Sequence, residues 1–356
     1  MGSLILKIIR ENEDWESIIK ANDISYKIDG DYAIFNYQIT ADFHKPLVQE
    51  ARGIIINLKE MKVVCWPFRK FGNFGEDYTD DIDWESARVQ DKIDGSIIKV
   101  WWDNKIWHIS TNSTIDAKKA PVNTDISFYE VFNQAKIECG FGFNQLDRNY
   151  TYMFELISPY NRIVIDYNTI DLYHIGTRDN RTGLELNVDI GVKKPVEYPL
   201  HSLKDCIDAV AELNPHGGIV RKEGFVVVDK YWNRIKIKSP EYVAIHHLIP
   251  NGMITDYQLF EMIHGGTIDD VISYVPSLKP RVIDIIKKYK NFRSKVEEYL
   301  TYNTKLVRKE NLSRKDWCIA HRNDKFFSFG VKWIFDKKEP NYAQLSTKKI
   351  WEMMEN

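Results

Sequence analysis

The sequence predicts an α+β protein in which a domain of antiparallel sheets with flanking helices is followed by an all-α domain. Two observations carry this prediction. Short β-like runs separated by turn signals fill residues 1 to about 243. After Pro240 the apolar residues recur at helical spacing, with Thr, Ser or Asp near the segment starts. We therefore expect one domain over residues 1–243 and a helical domain over residues 244–356.

The first domain contains a series of runs whose β-branched and aromatic residues predict strands. In chain order these runs are YAIFNYQI, RGIIINL, KVVCWPF, SIIKVWW, IWHIS, TYMFELI, IVIDY, DLYHIGTR, GFVVVD and RIKIK. Turn signals such as Asp103-Asn104 separate them, which favours antiparallel hairpins. Two stretches between them, DISFYEVFNQAKIEC and SLKDCIDAVAELN, have apolar residues at helical spacing and predict helices.

The second domain contains segments in which apolar residues follow a period of 3.6 residues. Helices are therefore predicted at residues 253–266, 267–275, 280–309, 313–322 and 344–356. This part of the chain has few alternating β-like runs, so a second sheet or barrel is not expected there.

Bulk composition describes an ordinary globular protein, with 356 residues, a net charge of −2 and 28% charged residues. A polyanion would need a local basic patch, because the chain has no overall basic field. The four cysteines are scattered and form no CxxC pair, which predicts thiols in a reducing compartment such as the cytoplasm. No run approaches the ~18 apolar residues that a membrane-spanning helix requires.

One stretch, QDKIDGSIIKVWW at residues 90–102, places a lysine beside residues typical of a buried strand. Apolar surroundings disfavour the charged ammonium, so Lys92 is a candidate nucleophile toward phosphorus or carbonyl groups. Asp94 would fix a turn, and Gly95 would allow both the turn and the close approach of a ligand. The alternative is a solvated turn, because a K-x-D-G match arises by chance in roughly one chain in ten of this length.

Charged residues in other predicted strands have the types that a nucleotide site needs. Arg52 opens one strand, Glu155 lies inside an apolar strand where an unpaired carboxylate would be costly, and Glu223 precedes a β-branched run. Lys236 and Lys238 alternate in RIKIK, so both point to one face of their strand. Such amines and carboxylates suit a nucleoside triphosphate with a divalent cation, since cations hold phosphates and a carboxylate holds Mg²⁺.

The charged positions resemble the ordered motif set of the covalent nucleotidyltransferase superfamily, which includes polynucleotide ligases and mRNA capping enzymes. The matching residues are Lys92-x-Asp94-Gly95, Glu155, Glu223-Gly224 and Lys236-x-Lys238. Within the superfamily, EARGIII, WPFRKFGN and FELISPYNRIVI resemble ATP-dependent RNA ligases of the T-even phage tRNA-repair type. The resemblance covers most of residues 45–245. It implies a nucleotidyltransferase domain with an ATP-grasp-like ligase fold, followed by a helical domain that serves substrate specificity.

The resemblance also implies a role for each matched position. Lys92 would attack the α-phosphate of ATP to form lysyl-AMP, and Glu223 would bind the metal, Mg²⁺ or Mn²⁺. AMP would then pass to an RNA 5′-phosphate, and a 3′-hydroxyl would displace it. Contacts with ATP are implied for Arg52, Lys70, Asp94, Gly95, Glu155, Lys236 and Lys238, with Tyr173 as a candidate for stacking on adenine.

Some features depart from this pattern or have a second interpretation. The resembling ligases have basic residues where this chain has Ser110, Thr111 and Asn112, which bind phosphate without full charge. Tryptophans 101, 102 and 107 flank a turn and are expected to pack across the hairpin, with a base-stacking platform as the alternative. The predicted helix at 280–309 either presents a solvated face or binds RNA through four cations. These cations are Arg281, Lys287, Lys288 and Lys290.

Other functions remain compatible with the motif set. A DNA ligase or an mRNA capping guanylyltransferase usually appends a β-barrel domain, which the helical pattern after residue 243 argues against. A catalytically inactive nucleotide- or RNA-binding protein is a more distant alternative, although all the motif residues are present. The expected partners are single-stranded or nicked RNA ends, with DNA as an option on one side. We expect a monomer without membrane association in the cytoplasm, including that of a cell infected by a phage or virus.

Overall fold

The computed structural model describes residues 2–122, 126–161, 163–214, 221–239, 255–265, 268, 272, 278–336 and 346–355. The chain divides into two compact units, Met1–Leu248 and Ile249–Asn356. The boundary predicted at residue 243 lies outside the described residues, and so does most of the helix predicted at 267–275. No helix in the described part of the chain is long and apolar enough to cross a bilayer.

The first unit is a mixture of helices and antiparallel strands, as predicted. Its strands are β1 (Ile24–Asp29), β2 (Tyr32–Tyr37), β3 (Arg52–Asn57), β4 (Lys62–Cys65), β5 (Arg88–Asp91), β6 (Ser96–Asp103), β7 (Ile106–Thr111), β8 (Tyr150–Ile157), β9 (Asp171–Asp179), β10 (Glu185–Leu186), β11 (Glu197–Tyr198), β12 (Gly224–Val228) and β13 (Arg234–Lys238). Its helices are α1 (Leu4–Glu11), α2 (Trp15–Ala21), α3 (Pro46–Glu50), α4 (Phe128–Glu138) and α5 (Leu203–Glu212).

These strands form three sheets, in the spatial orders β1-β2-β3-β4, β10-β9-β8-β6-β7 and β11-β5-β12-β13. Helices α1 to α3 cover the first sheet, α4 packs on one face of the central sheet, and α5 packs on the third. The other face of the central sheet meets the first sheet, where the fully buried Trp101 contacts Ile34 and Ile55. The central sheet therefore has one face for a conventional core and one face toward the first sheet.

Local sequence explains why helices α4 and α5 form where they do. Ser127 caps α4 through a capping box with Glu130, and the Ser202 side chain accepts the N–H of Asp205 at the start of α5. Both helices bury one apolar stripe against a sheet, which supplies most of their stability.

The hairpin of β6 and β7 confirms the predicted turn. Asn104 and Lys105 both have positive φ angles, of 47° and 66°, as the tight turn between two antiparallel strands requires. Trp101 stacks on His108 at 4.2 Å between ring centroids, and Trp102 contacts Trp107 at 5.2 Å. Trp101 is thus a packing residue and is not available for stacking on a base.

Nine of the ten predicted strand runs contain a strand, and the prediction for IVIDY is wrong. Residues 163–165 form bends and residues 166–167 are irregular, because the carboxylate of Asp94 accepts two of the backbone N–H groups in this stretch. Asp94 Oδ2 lies 3.0 Å from the N of Val164 and 2.7 Å from the N of Ile165. The backbone donors that a strand would give to a neighbour are used by this side chain instead.

Within its described residues, the second unit consists of helices. They are α6 (Asp256–Gly265), α7 (Lys279–Glu310), α8 (Arg314–His321), α9 (Phe327–Ile334) and α10 (Thr347–Glu355). Its core contains the fully buried Trp317, whose indole N–H donates to Asn303 Oδ1 at 3.0 Å. Gly330 allows α9 to approach, because a Cβ there would lie 2.5 Å from the Trp317 ring. The long helix matches its predicted bounds because Pro280 favours its first turn and Asn311, with a φ of 49°, ends it.

Candidate active site

The K-x-D-G stretch connects two different sheets. Strand β5 of the third sheet ends at Asp91, and β6 of the central sheet begins at Ser96. Lys92 therefore lies in the connection between these two strands, just before the strand run SIIKVWW that the sequence predicted. This position places Lys92 between the third sheet and the central sheet.

A buried carboxylate joins Lys92 to a second lysine. Glu223 Oε2 lies 2.7 Å from Lys92 Nζ, and Glu223 Oε1 lies 2.8 Å from Lys238 Nζ. The Glu223 side chain is 3% exposed, so these two ammonium groups replace the water that an isolated carboxylate would have. The predicted residues Lys92, Glu223 and Lys238 thus lie together.

Electrostatics at Glu223 show that this carboxyl group is ionised. Burial alone would raise its pKa, but Lys92 and Lys238 lower it below the ordinary value. The expectation of purely apolar surroundings for Lys92 is therefore wrong, because its ammonium has a carboxylate partner in the nucleotide-free protein.

Strand pairing fixes this arrangement. Gly224 pairs with Lys238 across β12 and β13, and the backbone N–H of Lys92 donates to the carbonyl of Gly224 at 2.9 Å. Gly224 has a φ of +146°, and a Cβ there would lie 2.1 Å from the carbonyl O of Ile237. Only glycine fits, so the glycine after Glu223 allows the two strands to approach and holds the lysines at the carboxylate.

Glu155 faces the same region from the central sheet. It lies opposite Ile97 of β6 and Tyr173 of β9. Burial raises the pKa of Glu155 to about 8, with Lys92 opposing the shift and Glu223 adding to it. At neutral pH this carboxyl group is therefore mostly protonated, which allows it to donate as well as accept hydrogen bonds.

The raised pKa of Glu155 predicts a pH-dependent stability. Between the ordinary value of 4.5 and about 8, the folded protein keeps a proton that the unfolded chain has released. The free energy of unfolding should therefore fall as the pH rises through this window. Glu155→Gln keeps the shape and cannot ionise, so it should be more stable than wild type at about pH 8 and similar at about pH 4. Urea unfolding at both pH values tests this, and identical pH profiles for the two proteins would contradict it.

Asp94 and Gly95 position the connection itself. Besides holding residues 164 and 165, Asp94 lies within the hydrogen-bonding reach of Tyr167, whose hydroxyl accepts the Asp94 N–H at 3.4 Å. A Cβ at Gly95 would lie 2.5 Å from the carbonyl O of Leu156 in β8. The glycine thus brings the connection against the strand that carries Glu155. Direct contacts of Asp94 and Gly95 with ATP stay predictions.

Arg52 and Lys236 flank one aromatic ring. The guanidinium of Arg52 lies 5.3 Å from the centroid of the Phe71 ring, and Lys236 Nζ lies 5.0 Å from it. Ile235 and Ile237 point into the core beneath α5, so Lys236 and Lys238 share the opposite face, as predicted. Arg52 also lowers the pKa of Glu155, which places its charge near the carboxyl cluster.

Lys70 and Tyr173 have surroundings that the sequence did not reveal. Lys70 is 6% exposed, and its ammonium faces the rings of Phe43, Tyr37 and Tyr78 at 4.5, 5.2 and 5.7 Å. Its predicted phosphate contact stays a prediction. Tyr173 is paired with Glu155 across the sheet, and burial raises the pKa of its hydroxyl. Its stacking on adenine also stays a prediction.

Sequence reasoning missed Phe71 and Lys99. Phe71 follows Lys70 directly in the WPFRKFGN stretch, in which only Lys70 was predicted to belong to the site. Lys99 is fully buried in β6. The available signal was a lysine enclosed by the apolar run SIIKVWW, since an interior lysine is rare without a specific partner.

The metal-ligating side chains at the site suit a divalent cation that is bound mainly by the phosphates of a nucleotide. Among the described residues, no group of three or more His, Cys, Asp or Glu side chains is arranged to hold a metal ion. Glu223 is one ionised carboxylate at the site, and Mg²⁺ is commonly bound through one or two carboxylates together with phosphates and water. The residues therefore fit a divalent ion that enters with a nucleotide.

Comparisons with known proteins identify the family of this chain. The sequence model of the RNA ligase family matches residues 50–242, which contain Lys92, Glu223 and Lys238. A putative bifunctional polynucleotide kinase/RNA ligase of Autographa californica nuclear polyhedrosis virus is 31% identical over 299 residues. That match covers 77% of this chain and 41% of the viral protein, so this chain spans less than half of that relative.

One further curated relative and one solved structure complete the comparison. An RNA ligase of Rhodothermus phage RM378 is 24% identical over 346 residues, covering 78% of each chain. A solved archaeal ATP-dependent RNA ligase is 13% identical, with a TM-score of 0.47, and covers 85% of this chain and 89% of that one. The family match spans more than half of the sequence, and the resemblance inferred from the motifs is confirmed. This chain belongs to the RNA ligase family.

Proposed function

We propose that the protein is an ATP-dependent RNA ligase that joins 5′-phosphate and 3′-hydroxyl ends through lysyl-AMP and RNA-adenylate intermediates. One observation carries the proposal: Lys92 and Lys238 are both held at the ionised carboxylate of Glu223. A lysine that reacts with a phosphate needs a second cation close by to stabilise the charge that develops. The relatives named as RNA ligases support RNA as the substrate.

The first step is the transfer of AMP to Lys92. The ammonium releases one proton to solvent, and its lone pair attacks the α-phosphorus of ATP. A P–N bond forms, the bond between the α-phosphorus and the bridging oxygen breaks, and pyrophosphate leaves. The amine loses a second proton as the phosphoramidate forms. Lys238 and Lys236 would hold the α-phosphate, whose charge increases in the transition state.

The remaining site residues would orient the nucleotide. The mostly neutral carboxyl group of Glu155 suits a ribose hydroxyl, because it can donate and accept. Arg52 would contact the phosphates beside Phe71. Glu223 would hold Mg²⁺ or Mn²⁺, which supplies further neutralisation of phosphate charge. We assign the first unit the nucleotidyltransferase fold on the same grounds.

Two further transfers would complete the reaction. An oxygen of the RNA 5′-phosphate attacks the phosphorus of lysyl-AMP, which breaks the P–N bond and regenerates Lys92. The 3′-hydroxyl of a second RNA end then attacks the activated 5′-phosphate and releases AMP. The donor and acceptor ends gain one phosphodiester, and no oxidant or reductant is needed.

The proposal is tested with the purified full chain, ATP, Mg²⁺ and a 5′-phosphorylated RNA. We expect the RNA to become resistant to phosphatase and to shift to joined products. Replacement of the RNA by a nicked DNA duplex, or of ATP by GTP, distinguishes a DNA ligase and a capping enzyme. Protein that binds ATP and RNA but joins no end would identify a binding protein and overturn the proposal.

We propose that residues 244–356 serve substrate choice, because all the residues assigned to AMP transfer lie in the first unit. Exposed cations on α7 support contacts with RNA phosphates, although acidic neighbours reduce their net charge. The ion pairs are Arg281–Asp256 at 2.5 Å, Lys287–Asp284 at 3.9 Å and Lys288–Glu355 at 3.1 Å. A monomeric, cytoplasmic protein and acceptance of DNA on one side are further parts of the proposal.

Neutral variants on α7 test this assignment. Changing Lys287, Lys288 and Lys290 together to Gln should leave lysyl-AMP formation unchanged. It should weaken RNA binding and flatten its salt dependence, since fewer phosphate contacts release fewer counterions. Lys204→Gln, which removes an exposed ion-paired lysine in the first unit, is the matched control. An unchanged salt slope in the triple variant would contradict an RNA-binding role for this face.

A further inference from the structure

A fully buried lysine lies on the face of the central sheet that meets the first sheet. Lys99 is in the middle of β6 and has no exposed surface. Its strand neighbours Ile98 and Val100 point into the opposite core, beneath α4. Trp101, two residues further, packs against the first sheet. Because strand side chains alternate, the Lys99 side chain points toward the first sheet as well.

No carboxylate neutralises this ammonium. In the described part of the chain, no Asp or Glu oxygen lies within ion-pairing distance of Lys99 Nζ, which donates to the carbonyl O of Gly53 at 2.5 Å. A buried cation without an anion costs free energy. The groups that face it are Arg52 from β3, Cys65 from β4, Ser110 from β7 and Met153 from β8.

The backbone next to Arg52 is shaped around this ammonium. Gly53 has a φ of +81°, and a Cβ there would lie 2.6 Å from Lys99 Nζ and 2.5 Å from the carbonyl O of Asn112. Gly53 therefore passes directly against Lys99, and the hydrogen bond to its carbonyl fixes the beginning of β3. Arg52, the preceding residue, extends from this point toward Phe71.

We propose that Lys99 is a positioning residue for triphosphate binding: its buried ammonium holds the Gly53 carbonyl and thereby sets Arg52 toward the phosphates of ATP. This inference rests on the proposed function, in which Arg52 contacts ATP. Lys92 and Lys238 already share Glu223, whereas the charge of Lys99 has no anion partner among the residues that the structure describes. Bound phosphates would supply the missing negative charge, so Lys99 also makes the site more favourable for a polyanion.

The position of Lys99 has a consequence for pH dependence. Burial lowers the pKa of Lys99 to about 8, with Cys65 opposing and Arg52 adding to the shift. Above that pH the amine loses its charge, and ATP binding should weaken. Glu155 titrates in the same range. The role of Lys99 is therefore judged from the difference in ATP affinity between wild type and Lys99→Met. The methionine has a similar shape and carries no charge at any pH.

Calorimetric titration of the full chain with ATP and with adenosine tests the inference. At about pH 7, Lys99→Met should bind ATP about tenfold more weakly than wild type, the scale of one hydrogen bond to a charged group. Adenosine, which lacks phosphates, should bind both proteins equally. At about pH 9.5 the difference for ATP should shrink. Equal ATP dissociation constants at about pH 7, or equal losses for ATP and adenosine, would overturn the inference.

A control variant separates positioning from general stability. Val100→Ala creates a cavity on the opposite face of the same strand, so it should lower the melting temperature and leave ATP binding unchanged. Weaker ATP binding by Val100→Ala, equal to that of Lys99→Met, would also overturn the inference. Lysyl-AMP formation is measured in a separate experiment. Its absence in wild type would refute the proposed ligase activity. The ATP titration would still decide the role of Lys99.

Discussion

Lys92→Ala should form no lysyl-AMP and should join no RNA that carries an ordinary 5′-phosphate. The side chain that becomes bonded to AMP is missing, and no neighbouring group replaces it at Glu223. Lys92→Arg should fail equally, because a guanidinium keeps its proton and is no nucleophile at working pH. Incubation with ATP labelled at the α-phosphate, followed by denaturing electrophoresis, measures the covalent label.

A chemically prepared RNA-adenylate supplies the control for this variant. That substrate already contains the activated 5′ end, so joining it does not require Lys92 as a nucleophile. Both variants should retain part of this activity if they are folded. Covalent label on either variant would contradict the assignment of Lys92, and loss of all joining together with a lower melting temperature would indicate misfolding.

Glu223→Gln and Lys238→Met should each slow lysyl-AMP formation by roughly two or more orders of magnitude, the scale for removing one transition-state charge partner. The two substitutions slow lysyl-AMP formation for different structural reasons. Glu223 holds both ammonium groups at 2.7 and 2.8 Å, so its loss releases Lys92 and removes the metal ligand. Lys238→Met removes the proposed phosphate contact and one of the two ammonium partners of Glu223, and it leaves Glu223 paired with Lys92.

Metal dependence separates these two variants. Raising the Mg²⁺ concentration should recover part of the rate of Glu223→Gln and none of that of Lys238→Met, while EDTA should stop the wild type. Lys230→Met is the matched control, because it removes an exposed lysine paired with Asp83 in the same unit. Rates within a fewfold of wild type for both variants would show that the carboxylate bridge is not part of the chemistry.

The sequence predicted those features of the site that depend on the local direction of side chains along a strand. The alternation of Lys236 and Lys238 in RIKIK placed both on one face, because Ile235 and Ile237 must be buried. Glu223 was grouped with them through the resemblance to known motifs, and the structure adds that the glycine after it permits the close strand pairing. Contacts between distant segments were harder to predict. Lys92 and Glu223 are separated by 131 residues, and only the resemblance to known motifs suggested that they lie together.

The parts that sequence reasoning missed have physical causes. Strand β1 (Ile24–Asp29) has a mostly exposed burial pattern, so its sequence lacks the apolar alternation that marks a strand. Strand β5 has four residues, too few for a recognisable pattern, and no strand was predicted there. Residues 163–167 have strand propensity, yet the Asp94 carboxylate takes their backbone donors. Tertiary hydrogen bonding overrode local preference there.

The central claim is that Lys92 carries AMP during RNA joining, and mass spectrometry of the adenylated protein tests it most directly. The full chain is incubated with ATP and Mg²⁺ without RNA, digested, and its peptides are sequenced by fragmentation. The account predicts one peptide heavier by one adenylyl group, with the added mass on Lys92, and its loss on addition of 5′-phosphorylated RNA. Modification of a different lysine, or unmodified protein that still joins RNA, would contradict the account.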